Sequence, residues 1–180
     1  MKNHGWKFVV NIPPLKKCVI CVAPHTSNWD FIMGELAIRS VGMKAGFLMK
    51  DTWFFFPLKY LLYSIGGVPV SQHRRTNVTS GVIASFNKRD NLAIAVTPEG
   101  TRSLNPRWHR GFLHIAREAD VPIVLGYFNY EEKIVCLDKI FEQSGDIDKD
   151  MLAIKKYYDT VGCKGKHHEK FTTGLENKKL

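Results

Sequence analysis

Two short segments hold the residues best suited to chemistry. The first reads Ala23-Pro-His-Thr-Ser-Asn-Trp-Asp30 and follows a β-branched apolar run, Lys17 to Ala23. A histidine leaving such a run, with an aspartate five residues on at the start of a helix, suits base catalysis. Asp30 in the first turn can reach back to one nitrogen of His25, fixing its tautomer and leaving the other to take a proton from a hydroxyl. This is the base-plus-orienter half of a triad, with the nucleophile left to the substrate. The second segment reads Val96-Thr-Pro-Glu-Gly-Thr-Arg-Ser103 and closes another apolar run, Leu92 to Val96. Pro98 and Gly100 shape a tight turn. Arg102 can take a phosphate in a bidentate way, and backbone amides around Gly100 can add donors. Glu99 would repel a phosphate, so it is expected to orient Arg102 or hold a substrate hydroxyl.

The elements that must position these loops follow from apolar periodicity. Strands are expected at Lys17–Ala23, Ala45–Met49, Val68–Val70, Leu92–Val96 and Val121–Phe128, with Ile134–Leu137 pairing the end of the last. Helices are expected from Trp29 to about Val41, capped by Ser27 or Asn28, and at Phe56–Ile65, Thr76–Lys88, Gly111–Ala119 and Asp148–Val161. Strands alternating with helices predict one α/β domain with a largely parallel sheet. Ligands then gather at loops after the carboxyl ends of strands, where both segments fall. The domain is expected to span residues 1–162, leaving 163–180 as a mobile basic tail, since that stretch shows no apolar periodicity.

The chain has 180 residues, 44% apolar and 24% charged, which is the composition of a folded protein. Its 26 Lys and Arg against 17 Asp and Glu give +9, favouring an anionic partner. Nucleic acid is disfavoured, because the aromatics cluster in apolar runs such as Trp53–Phe56 instead of interleaving with cations. Cys18-Val-Ile-Cys21 has half-zinc spacing but no matching second pair, and reads as a strand whose cysteines are buried. With four cysteines and no signal-peptide order, the location expected is cytoplasmic. No run of about 20 apolar residues is present to span a bilayer. Trp53 to Ile65, broken by Pro57, is expected either to lie in a membrane interface or to form a core helix.

Taken together, Pro24-His-x4-Asp30 and Pro98-Glu-Gly-Thr-Arg-Ser103, about 70 residues apart, closely resemble the signatures of the glycerolipid acyltransferase family. Lys50 followed by an aromatic run and Pro57, and the segment Val121-Pro-Ile-Val124, match it too. The resemblance covers roughly residues 18 to 126 and implies the glycerol-3-phosphate acyltransferase-like fold. It further implies direct transfer of an acyl group from coenzyme A or acyl carrier protein to a lipid hydroxyl, with 1-acyl-glycerol-3-phosphate foremost. His25, oriented by Asp30, would be the base. Glu99, Gly100, Thr101 and Arg102 would hold the acceptor, with Arg74 and Lys50 contributing. No acyl-enzyme, metal or redox cofactor is implied, and the protein would work peripherally on the cytoplasmic face of the membrane.

Two departures bear on these expectations. The family's Gly-x5-Arg element is not kept: Gly66 leads to Gln72 and Gly67 to His73, so Arg74 could serve only if the loop bulges. A phosphate-free hydroxy-acyl amino-acid lipid is therefore a competing acceptor. Only about 17 residues precede the first expected strand, so Trp53 to Tyr63 would share or take over membrane attachment. A thioester hydrolase using the same His–Asp pair is the rival activity, although no Gly-x-Ser-x-Gly elbow occurs.

Overall fold

A computed structural model describes residues 5–64, 66–70 and 75–175. Seven strands form one sheet: β1 (Lys7–Val10), β2 (Lys17–Ala23), β3 (Ala45–Lys50), β4 (Gly67–Val70), β5 (Leu92–Val96), β6 (Ile123–Asn129) and β7 (Ile134–Phe141). Their spatial order is β1-β7-β6-β2-β5-β3-β4, with every neighbouring pair parallel except β6 and β7. The helices are α1 (Trp29–Ser40), α2 (Leu58–Ser64), α3 (Arg75–Lys88), α4 (Gly111–Glu118) and α5 (Ile147–Thr160). This is the single, largely parallel α/β domain that the alternating pattern predicts.

β2 shows why the sheet is central. Its residues Cys18 to Ala23 are all buried, as a strand covered on both faces must be. Alternate side chains serve different layers. Val19, Cys21 and Ala23 pack with Val82 and Phe86 of α3, Leu113 of α4 and Ile154 and Tyr158 of α5. Cys18, Ile20 and Val22 pack with Ala37 and Ile38 of α1 and with Phe128 and Val135. Cys18 and Cys21 therefore point to opposite faces and cannot share a metal ion, and burial pushes both thiols upward, Cys18 to about 12. α1 and α5 cover opposite sides of the sheet.

Two expectations are corrected. Lys7–Val10 is a strand, paired only along β7; at four residues and one neighbour its apolar signal is too short to read. The chain from residue 163 does not leave the domain as a mobile tail but packs on it as far as residue 175. Lys164 bridges Asn129, with Lys164 N–H donating to Phe128 O (2.9 Å) and Tyr130 N–H to Lys164 O (2.9 Å). The Trp108 indole donates to Thr172 O at 3.1 Å, Phe171 packs beside that indole, and Thr173 is fully buried. Backbone hydrogen bonds and isolated contacts hold this strap, so it has no helical or strand periodicity to reveal it. α2 begins at Leu58, two residues later than expected, and Ile65 lies outside the described residues.

Candidate active site

The pairing of β2 with β5 brings the two loops together. Their register, Lys17 with Leu92 through Cys21 with Val96, lets both strands end side by side, so residues just past each end must meet. The His25 N–H donates to Glu99 Oε1 at 3.0 Å, across 74 residues of chain. One residue group further on, an Arg102 Nη1 donates to Asn28 Oδ1. Gly100 has φ +67, and a Cβ there would lie 2.4 Å from His109 Cδ2, so both backbone conformation and space call for glycine.

Asp30 is 3% exposed at the start of α1. Its Oδ2 accepts N–H groups from Thr26 (2.7 Å) and Ser27 (2.8 Å), folding the loop back onto the helix start. Its Oδ1 accepts the Tyr130 hydroxyl at 2.5 Å. His25 Nδ1 lies 3.2 Å from Asp30 Oδ2, but off the axis of an aligned ring N–H hydrogen bond. The two groups thus approach without an aligned hydrogen bond, at a distance from which such pairs tighten when substrate binds. Burial alone would raise the Asp30 carboxyl, but His25, Tyr130 and the two backbone donors outweigh it and hold it below the usual carboxylate range. Burial, then the bond to Asp30, raises the Tyr130 phenol in turn.

Glu99 departs from expectation. It does not pair with Arg102; it lies 3% exposed beneath the His25 backbone, and its Oε2 has no hydrogen-bond partner among the described residues. Burial raises its carboxyl to about 7, against the lowering influence of the His25 N–H and ring. The turn around Gly100 also uses its own donors. Gly100 N–H goes to Thr97 O (3.1 Å) and Ser103 N–H to Thr101 Oγ1 (3.2 Å), with Thr101 and Arg102 exposed. Asn28 holds the N-cap position of α1 without a side-chain bond, and the Trp29 N–H donates instead to Ser27 Oγ at 3.2 Å. Arg74 and the side chain of Lys50 lie outside the described residues.

His25 and Asp30 stand at an apolar groove of about 540 Å³. α1 contributes Phe31, Gly34, Glu35 and Ile38, and the sheet contributes Val22, Ala45, Leu48, Ala95 and Phe128. Sequence reasoning missed four residues here. Tyr130 and Thr26 hold the His25 loop, His109 lines the groove, and Asn105 Nδ2 donates to Glu99 O at 2.7 Å. A tyrosine just past the end of an apolar strand was the one available signal. Beside the site the surface is strongly apolar: Trp29, Phe31, Ile32 and Leu36 of α1 are exposed, as are Trp53, Phe55, Phe56, Tyr60, Leu61 and Tyr63 in and before α2. Among the described residues no helix is long and apolar enough to cross a membrane.

A parallel α/β sheet with a histidine–carboxylate pair at the carboxyl ends of neighbouring strands, opening on an apolar groove, is the architecture of enzymes that activate a hydroxyl for group transfer or hydrolysis. Comparison with known proteins narrows the class. The family model described as Acyltransferase matches residues 8–125, and the chain belongs to this acyltransferase family. It is similar to human 1-acyl-sn-glycerol-3-phosphate acyltransferase beta, 28% identical over 161 residues, covering 83% of this chain and 56% of that protein. The chain thus spans little more than half the length of that relative. Its fold resembles the crystal structure of the 1-acyl-sn-glycerophosphate (LPA) acyltransferase PlsC from Thermotoga maritima, with TM-score 0.54 and 18% identity, covering 87% of this chain and 72% of that one.

Proposed function

We propose that the protein transfers a fatty acyl group from a coenzyme A or acyl carrier protein thioester to the hydroxyl of a lysophospholipid-type acceptor, 1-acyl-glycerol-3-phosphate foremost. The observation that carries this reading is the His25–Asp30 pair, 3.2 Å apart, at the mouth of an apolar groove that suits an acyl chain. With Nδ1 facing Asp30, Nε2 is left to take the acceptor's hydroxyl proton. The oxygen attacks the thioester carbonyl, the new C–O bond forms, the C–S bond breaks, and the thiolate leaves with the proton returned by the imidazolium. Asp30, held ionised by its donors, stabilises that imidazolium. The exposed aromatics in and before α2 support attachment to a membrane surface, and the face proposed is the cytoplasmic one.

A phosphate-free acceptor is the second reading, favoured by the Gly100 turn, which spends two amides on itself and rests Arg102 on Asn28. The experiment compares lysophosphatidic acid with a phosphate-free hydroxy lipid in wild type and Arg102→Ala. If Arg102 holds a phosphate, the variant raises KM for lysophosphatidic acid alone, and Arg102→Lys recovers little because an ammonium lacks the planar fork. An unchanged ratio between the two acceptors assigns the reaction to phosphate-free lipids.

A further inference from the structure

Among the described residues the groove at His25 is not the only large cavity. A second, of about 730 Å³, opens at the other edge of the sheet, between the end of α1, the end of α2 and the turn from α3 into β5. Arg39, Lys44 and Arg89 line it, with Tyr63 and Ser64 of α2; Asp90 also lines it, and Glu35 pairs with Arg39 from outside the lining. Arg89 is half-buried and fixed by an Nη2 donation to Gly67 O at 3.0 Å. Arg39 is tethered through Nε to Glu35, which leaves its two terminal nitrogens for another acceptor. Lys44 makes no ion pair among the described residues.

Three cations gathered in one concave, polar space form a site for a phosphate. It cannot be the phosphate of a molecule reacting at His25. β2 and β5 run parallel, so their amino-terminal edge, where Lys44 and Arg89 lie, is separated from His25 by the length of β5. Five residues at about 3.3 Å each put that edge roughly 17 Å away. Nor is it placed for the carrier of a donor whose chain fills the groove, because the groove ends at Ala45 on this same edge and the thioester lies at the other. What adjoins the cavity is the exposed face of α2: Tyr63 lies on both, next to Tyr60 and Leu61.

We propose that this cavity binds the phosphate headgroup of a membrane lipid, at a site separate from the catalytic one, and so fixes how the domain sits on an anionic bilayer. The proposal rests on the reading of α2 as the membrane-facing element. Cations that meet an anionic bilayer add roughly fivefold each to partitioning, so two add about 25-fold.

The test is cosedimentation of the full chain with phosphatidylcholine vesicles, with and without phosphatidate. Arg39→Gln/Lys44→Gln is compared with Lys149→Gln/Lys156→Gln, which removes the same charge from exposed positions on α5, on the opposite face of the sheet. Thermal unfolding checks that both variants are folded. The expected result is that the first variant loses about 25-fold of the phosphatidate-dependent gain and the second keeps most of it. Equal losses in the two variants overturn the site, as does a wild type that gains nothing from phosphatidate. Inorganic phosphate shielding Lys44 from amine modification, with vesicle binding unchanged by Arg39→Gln/Lys44→Gln, overturns the lipid assignment in favour of free phosphate. The α2 reading fails separately, if Phe55→Ser/Phe56→Ser leaves binding to pure phosphatidylcholine vesicles intact.

Discussion

Glu99→Gln isolates a buried carboxyl that anchors the His25 loop. Glu99 accepts the His25 N–H at 3.0 Å and is 3% exposed, so burial raises its carboxyl from an ordinary 4.5 to about 7. A raised carboxyl binds its proton more tightly in the folded chain than in the unfolded one. The folded state therefore loses stability as pH rises from about 4.5, and the full cost is reached above about 7. That interval corresponds to on the order of 3 kcal/mol. Glutamine keeps the oxygen that accepts the His25 N–H but cannot ionise. Urea unfolding of wild type and variant, compared at about pH 5 and about pH 8, reads the difference. The variant is expected to gain relative stability with rising pH, by an amount of that order. A wild-type-to-variant difference that stays constant across the range refutes the reasoning, because it means Glu99 does not change its protonation there.

Two further substitutions test the supports of the loop. Asp30→Asn removes the charge facing His25 Nδ1 and is expected to lower kcat/KM by about 10²-fold or more in a folded protein, a loss under about tenfold contradicting the orienting role. Gly165→Ala places a Cβ 2.6 Å from Thr26 Oγ1, so the strap must shift from the loop whose Thr26 N–H holds Asp30. It is expected to cost roughly 1–3 kcal/mol in urea unfolding and to reduce turnover, and unaltered stability would show that the strap does not press on the loop.

The sequence was most legible where apolar runs stop abruptly. β2 and β5 end just before Pro24 and two residues before Pro98, and both loops are neighbours because those strands pair. The His25–Asp30 approach was legible because five residues of loop and first turn constrain it locally. What was hidden depends on distant partners. Tyr130 meets Asp30 across 100 residues, and Glu99 meets His25 across 74, so neither contact leaves a local pattern. The expectation that Glu99 orients Arg102 fails for the same reason: Arg102 rests on Asn28, and the burial of Glu99 is set by the strands around it. The stretch from residue 163 reads as a mobile basic tail because it lacks apolar periodicity, yet Thr173 and the Trp108–Thr172 bond are internal.

In the proposed reaction His25 takes the acceptor's proton and the acyl group passes directly to the hydroxyl. His25→Ala, assayed with an acyl thioester and a lysolipid and verified as folded by its unfolding transition, tests it most directly. kcat/KM is expected to fall by at least about 10²-fold, the scale of losing a general base, with the fold intact. Near-normal transfer by a well-folded His25→Ala protein would contradict it.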